Sequence, residues 1–281
     1  MPPAVPTVSV QKAGEGGSTV KLVTFEVATA VGLVHRIGVI EGQRIVDLNM
    51  GYARYLSDKQ GTRRAYEVAS TVLPADMTAF FCGGIEAREA AEVTVEYVAR
   101  QPGVTGPRGE RVVYAIGEVR IKAPVLRPNS IRDYIAFEGH ASHSGQRQLA
   151  DAWYQMPVCY KGNPDTVIRP EDTIPWPSFS DLLDYELEYS IFIGKEGRNI
   201  AREQAHEYIA GYTIFNDVSA RDIQAQEMAC GLGPVKGKDT CSVMGPCLVT
   251  PEEVDARNMR MMARVNGEVW SEGNSGTSYW T

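Results

Sequence analysis

Asp184-Tyr185-Glu186-Leu187-Glu188-Tyr189-Ser190-Ile191-Phe192-Ile193-Gly194 is the stretch on which the architecture and chemistry of this chain turn. Its second half is crowded with Tyr, Ile and Phe and reads as a strand, along which residues two apart face the same way. Glu186 and Glu188 therefore leave one face of an otherwise apolar segment together. Acidic side chains are rarely buried unless paired or bound to a cation. Another acid, Asp217, stands in Ile214-Phe215-Asn216-Asp217-Val218-Ser219-Ala220-Arg221-Asp222, at the end of a second β-rich run. Three carboxylates so placed point to a divalent metal held by oxygen.

Working outward, the strand-like runs of the second half are 158–160, 185–194, 208–215, 242–250 and 260–270, with few long helical patterns between them. This half is predicted to be mainly β, closed by mixed loops. Upstream, 21–28, 34–40 and 45–48 read as a small β-meander whose turn is Glu41-Gly42-Gln43-Arg44. Residues 63–73 and 77–100 have helical composition, and 102–109 ends the second helix with turn formers. Strand-like residues return at 112–123. Pro124 to Pro128 reads as a linker, so a domain boundary is expected there, between a small N-terminal α+β domain (20–123) and a second domain (124–281). Residues 1–19, rich in Pro, Gly, Ser and Thr, are expected to form a flexible tail.

At 281 residues with 43% hydrophobic and 22% charged, the chain can bury one large core or two modest ones. Its net charge of −7, without a long Lys/Arg block, argues against a nucleic-acid partner and leaves a small-molecule substrate as the default. Cys82, Cys159, Cys230, Cys241 and Cys247 form no CxxC pair and no metal-ligand spacing with the four histidines. They read as reduced thiols. Met1-Pro2-Pro3-Ala4-Val5-Pro6 has no basic region followed by an apolar stretch, and no apolar run approaches the ~20 residues of a membrane span, so a cytoplasmic protein is expected.

Two further segments bear on the chemistry. In Ile131-Arg132-Asp133-Tyr134-Ile135-Ala136-Phe137-Glu138-Gly139-His140-Ala141, Asp133 precedes His140 by seven residues at what reads as helical spacing. His is the side chain best suited to moving protons near neutral pH, although a lone helical His is more often structural. Glu138, the nearest acid, is two positions away and would face a different direction on a helix. His143, one turn on, reads as solvated surface; Trp153 and Tyr154 read as packing residues; His35 and His206 have no chemical context. The second segment is Gly231-Leu232-Gly233-Pro234-Val235-Lys236-Gly237-Lys238-Asp239-Thr240, followed by Met244-Gly245-Pro246. It lacks phosphate-loop spacing, yet its glycines allow close backbone approach and Lys238 can set a positive charge beside a carboxylate or enolate.

In order, Arg-Asp-Tyr…Phe-Glu-x-His (132–140), Asp-Tyr-Glu-Leu-Glu (184–188), Asn-Asp-x-Ser-Ala-Arg-Asp-Ile-Gln (216–224) and Gly-Pro-x-x-Gly-Lys…Gly-Pro (233–246) resemble the fumarylacetoacetate hydrolase family over about residues 125 to 281. The resemblance implies a fold that is mainly β with α+β elements, its catalytic domain a β-roll around Mg²⁺, or alternatively Mn²⁺ or Ca²⁺. It implies Asp133, Glu186, Glu188 and Asp217 as metal ligands, His140 as general base and Lys238 as the cation facing the substrate. Arg221, Asp222 and Gln224 fall in a family motif, with Arg221 and Gln224 substrate contacts, and Lys236 ranks below Lys238. Family members generally continue for some tens of residues past the position of Thr281, with a Gly-Thr-Pro turn and an acid that orients the His, so the domain reads as lacking its usual C-terminal end. A homodimer is implied as well.

The family's chemistry implies hydrolysis of a C–C bond in an acylpyruvate or β-diketo acid such as fumarylacetoacetate or fumarylpyruvate. A hydratase, dehydratase or decarboxylase of a 2-oxo acid would use the same ligands, and a catalytically silent metal-binding paralogue is the third reading. Three or four carboxylates around a divalent ion leave a net negative site that would repel an anionic oxo acid, and Lys238 answers that repulsion.

Overall fold

The computed structural model describes residues 20–142 and 144–280; the 1–19 segment, His143 and Thr281 lie outside the described residues. The meander forms as expected: β1 (Lys21–Thr29) pairs antiparallel with β2 (Gly32–Glu41), and β2 with β3 (Arg44–Asp47). The expected third strand, however, stops one residue short of Leu48. Asp47 Oδ1 accepts the Met50 N–H at 3.0 Å and caps a helix, α1 (Leu48–Gln60), that composition did not reveal. The helical composition at 63–73 becomes α2 (Ala65–Val72), and the long helix expected over 77–100 is two, α3 (Met77–Cys82) and α4 (Gly84–Ala99). Gly84 sits at φ +57°, a left-handed conformation that breaks the helix and that glycine adopts without steric cost.

After β4 (Val113–Ala115) and β5 (Arg120–Ile121) come β6 (Ile131–Tyr134) and the one-turn helix α5 (Glu138–Ala141). Asp133 therefore lies on a strand, not in the helical stretch expected for 131–141. Next are β7 (Cys159–Gly162), β8 (Val167–Ile168), β9 (Leu183–Asp184), β10 (Glu188–Ile193), β11 (Ile209–Asp217) and β12 (Ser219–Ala220). The helix α6 (Arg221–Ala229) follows, then β13 (Ser242–Met244), β14 (Leu248–Val249) and the hairpin β15 (Arg260–Val265) and β16 (Glu268–Asn274).

Among the described residues ten strands join one mixed sheet, in the order β4-β3-β2-β1-β14-β11-β13-β8, with β10 on β11 and β5 on β1. β13 and β14 are two halves of one strand along β11. Phe215 faces Met244 and Tyr212 faces Val249, so the strand bulges around the cis Gly245–Pro246 bond. The bulge forks the sheet: β14 runs on to β1 through Leu22↔Leu248, while β13 turns to β8. Leu22, Ile37, Val39, Leu48, Leu73 and Leu248 pack under α3 and α4 in one core cluster, each large side chain contributing about 1.5–3 kcal/mol by burial. This curled mixed α/β sheet sets the C-terminal ends of β11 and β6 and the start of β10 side by side. Among the described residues no helix is long and apolar enough to cross a membrane.

Asp47 carries a stability prediction of its own. It is fully buried, its Oδ2 has no hydrogen-bond partner among the described residues, and Arg36 Nη1 stays 3.9 Å away. Burial pushes its pKa up to about 6 from 3.8, with Arg36 and the cap N–H groups opposing. Below the unfolded value both states are protonated and the residue costs nothing. As pH rises from about 4 to 6 the unfolded chain ionises first and stability falls, by about 3 kcal/mol in total. Asp47→Asn keeps the cap and removes the titration, so urea melts should lose that fall across pH 4–6. An unchanged slope in the variant would show that the fall arises elsewhere.

Candidate metal and substrate site

Asp133 and Tyr160 face each other in the β6–β7 ladder. The Tyr160 hydroxyl donates to Asp133 Oδ2 at 2.9 Å and also reaches Asp217 Oδ2, bridging the ends of β6 and β11. Glu188 opens β10 opposite Phe215 of β11. Glu186 lies just before that strand, its N–H donating to Asn216 Oδ1 at 2.9 Å, so the motif partner beside Asp217 fixes the glutamate's backbone. One carboxylate oxygen from each of Asp133, Glu186 and Glu188 lies within 4.8 Å of the others. Asp217 is outside that set but touches it through Tyr160 and is anchored by Ser242 Oγ at 3.2 Å.

Lys238 closes the cluster. It is 4% exposed, and its Nζ lies 2.5 Å from Glu186 Oε2, 3.2 Å from Asp217 Oδ2 and 5.5 Å from the Tyr160 ring centre. Arg221, the first residue of α6, donates from Nη1 to Glu186 Oε1 at 2.6 Å and to Gln224 Oε1 at 3.0 Å, and from Nε to Asp184 Oδ2 at 2.9 Å. Glu186 is thus held by two cations. The structure gathers seven of the eight expected residues into one network: Asp133, Glu186, Glu188, Asp217, Lys238, Arg221 and Gln224.

The eighth, His140, stays apart. It is exposed on α5 and joins no hydrogen bond of the network. Its segment is tied down from elsewhere: Trp153 Nε1 donates to Ile135 O at 3.2 Å, Tyr279 N to Ala136 O at 2.9 Å, and Tyr154 OH to Glu138 Oε1 at 2.7 Å. Glu138 is engaged by Tyr154 rather than by His140, and Trp153 and Tyr154 pack with Tyr279 as an aromatic cluster. Lys236 is exposed over the Phe179 ring at 4.4 Å, away from the carboxylates. Asp222 binds Ser180 and the Asp181 N–H, a structural role.

Sequence reasoning missed Tyr160, Asp184, Asn216 and Ser242 as members of the network. Asn216 and Asp184 carried a signal, the first in its place beside Asp217 and the second in its motif two residues before Glu186.

The electrostatics follow from burial and crowding. Burial, then Asp133 and Glu186, pushes Glu188 up to about 9. Burial, then Asp217, pushes Asp133 up to about 7. Burial raises Asp217 too, against Lys238. Burial also acts on Glu186, yet Lys238 and Arg221 together hold it below the usual carboxylate range. Two cations do not balance four carboxylates, and the surplus falls on Glu188 and Asp133. An all-oxygen set of half-buried carboxylates with uncompensated charge fits a hard divalent ion of the Mg²⁺, Mn²⁺ or Ca²⁺ kind.

Comparison with known proteins agrees. The profile of the fumarylacetoacetate (FAA) hydrolase C-terminal family matches residues 129–281. Human mitochondrial oxaloacetate tautomerase FAHD2A is 30% identical over 204 residues, 72% of this chain and 60% of that protein. Oxaloacetate tautomerase YisK of Bacillus subtilis is 32% identical over 172 residues, 58% of this chain and 54% of that protein. The chain thus spans 60% or less of the length of these two relatives. Fumarylacetoacetate hydrolase from Exiguobacterium antarcticum shares the fold at a TM-score of 0.60 and 23% identity, with 92% of this chain and 76% of that one covered. So does maleylpyruvate hydrolase from Sphingobium sp. SYK-6, solved with manganese(II) and pyruvate, at a TM-score of 0.59 and 21% identity, with 92% and 78% covered. With the carboxylate cluster, Lys238 and the α6 motif all inside the matched segment, the chain belongs to the fumarylacetoacetate hydrolase family.

Proposed function

We propose that the chain catalyses keto–enol tautomerisation of a small 2-oxo acid of the oxaloacetate kind, at a divalent-metal site built from Asp133, Glu186 and Glu188 with Asp217 adjoining. The observation that carries this reading is the buried Lys238 ammonium set against Glu186 and Asp217, a fixed positive charge beside a carboxylate cluster. Such a charge stabilises an oxygen that becomes negative as a proton leaves the neighbouring carbon. The oxaloacetate tautomerases among the relatives support this substrate class.

A bound divalent ion, Mg²⁺ or alternatively Mn²⁺ or Ca²⁺, would supply Lewis acidity toward the substrate's carbonyl oxygen. The protein's residues do the rest. Lys238 offsets the anionic charge that would repel a dicarboxylate and faces the developing oxyanion. Arg221 fixes Glu186, and Gln224 on the same turn of α6 contacts the substrate. His140 takes the proton from C3 and the C2 oxygen gains one, so the keto and enol forms differ only in where one proton resides.

The expected first reading, hydrolysis of an acylpyruvate, places the same cation on the leaving enolate and needs His140 to activate water. Tautomerisation is ranked above it because the oxaloacetate tautomerases are 30% and 32% identical to the chain where they align, whereas the maleylpyruvate hydrolase is 21% identical.

The test follows the ultraviolet decay of oxaloacetate enol with Mg²⁺, Mn²⁺ or Ca²⁺ and then with chelator, beside an assay for pyruvate released from acylpyruvates. Metal-dependent acceleration of enol loss is expected. Pyruvate release without enol catalysis would restore the hydrolase, and neither activity with metal retained would mark a silent paralogue. In the active reaction His140→Ala should lower turnover by about 10²–10⁴-fold with metal affinity unchanged; undiminished turnover removes His140 from the mechanism.

A further inference from the structure

We propose that Glu227 is the positioning residue that holds Lys238 in the site. Three backbone donors in succession converge on its carboxylate: Val235 N reaches Oε2 at 3.0 Å, Lys236 N reaches Oε1 at 2.7 Å and Gly237 N reaches Oε2 at 3.1 Å. Lys238 is the next residue. Although burial raises the Glu227 pKa, these N–H groups bring it below the usual carboxylate range, as expected of an anion seated in a ring of donors.

The same turn is pinned at a second point. A Cβ on Gly237 would lie 2.9 Å from Gln224 Cα and 2.9 Å from Gln224 N, so only glycine lets the loop lie against the α6 backbone. One turn of 3₁₀ helix over Lys236–Lys238 then sends Lys238 inward while Lys236, two residues earlier, stays exposed. α6 thereby works as a bracket. Arg221 at its first residue grips Glu186 directly, and Glu227 six residues later grips the loop whose lysine reaches the same Glu186.

The consequence is geometric. Lys238 approaches Glu186 along a long side chain with several rotatable bonds, so its placement depends on where its Cα is held. Glu227 touches no carboxylate of the cluster and acts on the site through the loop alone. The inference rests on the reading of Lys238 as a working residue of the site, but its structural part can be measured without turnover.

The experiment compares Glu227→Gln with the unaltered chain. Gln offers one acceptor oxygen, and its amide group cannot accept from the remaining N–H donors. Lysines are acylated with a trace of acetic anhydride and the labelled peptides are quantified by mass spectrometry, with Lys236 as internal reference. In the unaltered chain Lys238 should react far more slowly than Lys236. In the variant its relative reactivity should rise about 10-fold or more, the factor expected for losing a hydrogen bond to a charged group. With a confirmed substrate, kcat should fall about 10-fold while KM stays within about 2-fold, because the lysine is displaced rather than removed.

If Lys238 remains equally protected in the folded variant, the proposal is overturned whatever the enzyme turns over. Should the variant not fold, native-state hydrogen exchange on the unaltered chain decides: the Val235, Lys236 and Gly237 amides must be protected, and free exchange would overturn the clamp. Altered labelling with no turnover of any 2-oxo acid would instead count against the proposed function and leave the clamp standing.

Discussion

Lys238→Met is expected to lower kcat by about 10³-fold while tightening, not weakening, the binding of a divalent ion. The two effects have opposite signs because the lysine plays two electrostatic parts. In the proposed reaction it is the fixed cation beside the developing oxyanion, and losing one such donor in a preorganised site costs about 10²–10³ in rate, with loss of its attraction for an anionic substrate added. Toward the metal it is a competitor, since its Nζ lies 2.5 Å from Glu186 and 3.2 Å from Asp217. A unit charge and a divalent ion about 5 Å apart at an effective dielectric of about 20 repel by about 7 kcal/mol, so relieving even part of that repulsion is worth at least a tenfold gain in affinity.

Methionine suits the test because it keeps most of the lysine's length without the charge. Titration calorimetry gives the affinity and the enol assay gives kcat. A variant that loses both metal and activity would show that Lys238 merely supports the structure. One that loses neither would remove it from the site.

The acidic pair was legible because its spacing is local: Glu186 and Glu188 share a face at the two-residue period of an extended chain, although the ladder itself begins only at Glu188. Asp133 was recovered through its motif, but its conformation was misread. The seven residues from Asp133 to His140 equal two helical turns, and nothing nearby in sequence reveals the pairing of β6 with β7, 27 residues on. Tyr160 was invisible for the same reason, since its two bonds cross 27 and 57 residues. α1 was hidden behind Asp47, which ends a strand and caps a helix at once. Lys238 was readable as a cation in a glycine-rich loop; that Glu227 holds the loop by three main-chain N–H groups depends on a tertiary contact that composition does not encode. Local periodicity and motif order carried the residues that gather in the cluster, and non-local contacts, strand ladders and side-chain bonds alike, carried what orients them.

Glu188→Gln is expected to abolish most of the stabilisation that the metal confers while leaving the metal-free protein as stable as before. Burial, Asp133 and Glu186 already drive Glu188 toward its protonated form, up to about 9, so near neutral pH the metal-free site holds a neutral carboxyl there and an amide of the same shape replaces it at little cost. A bound divalent ion changes the balance, because it draws the ionised carboxylate and finds only a weaker carbonyl oxygen in the variant. Losing one anionic ligand should weaken binding about 100-fold or more. At a metal concentration of about 100 times the original Kd, linkage stabilises the unaltered chain by about 2.7 kcal/mol, and a 100-fold weaker Kd reduces that to about 0.4 kcal/mol. Thermal melts with chelator and with metal therefore separate the two states: similar midpoints for the two proteins in chelator, and a metal-induced shift that nearly vanishes in the variant. An undiminished shift would place the ion on Asp133, Glu186 and Asp217 without Glu188, whereas a collapse of the chelator midpoint would mean that Glu188 is ionised and paired in the free protein, contrary to the crowding seen around it.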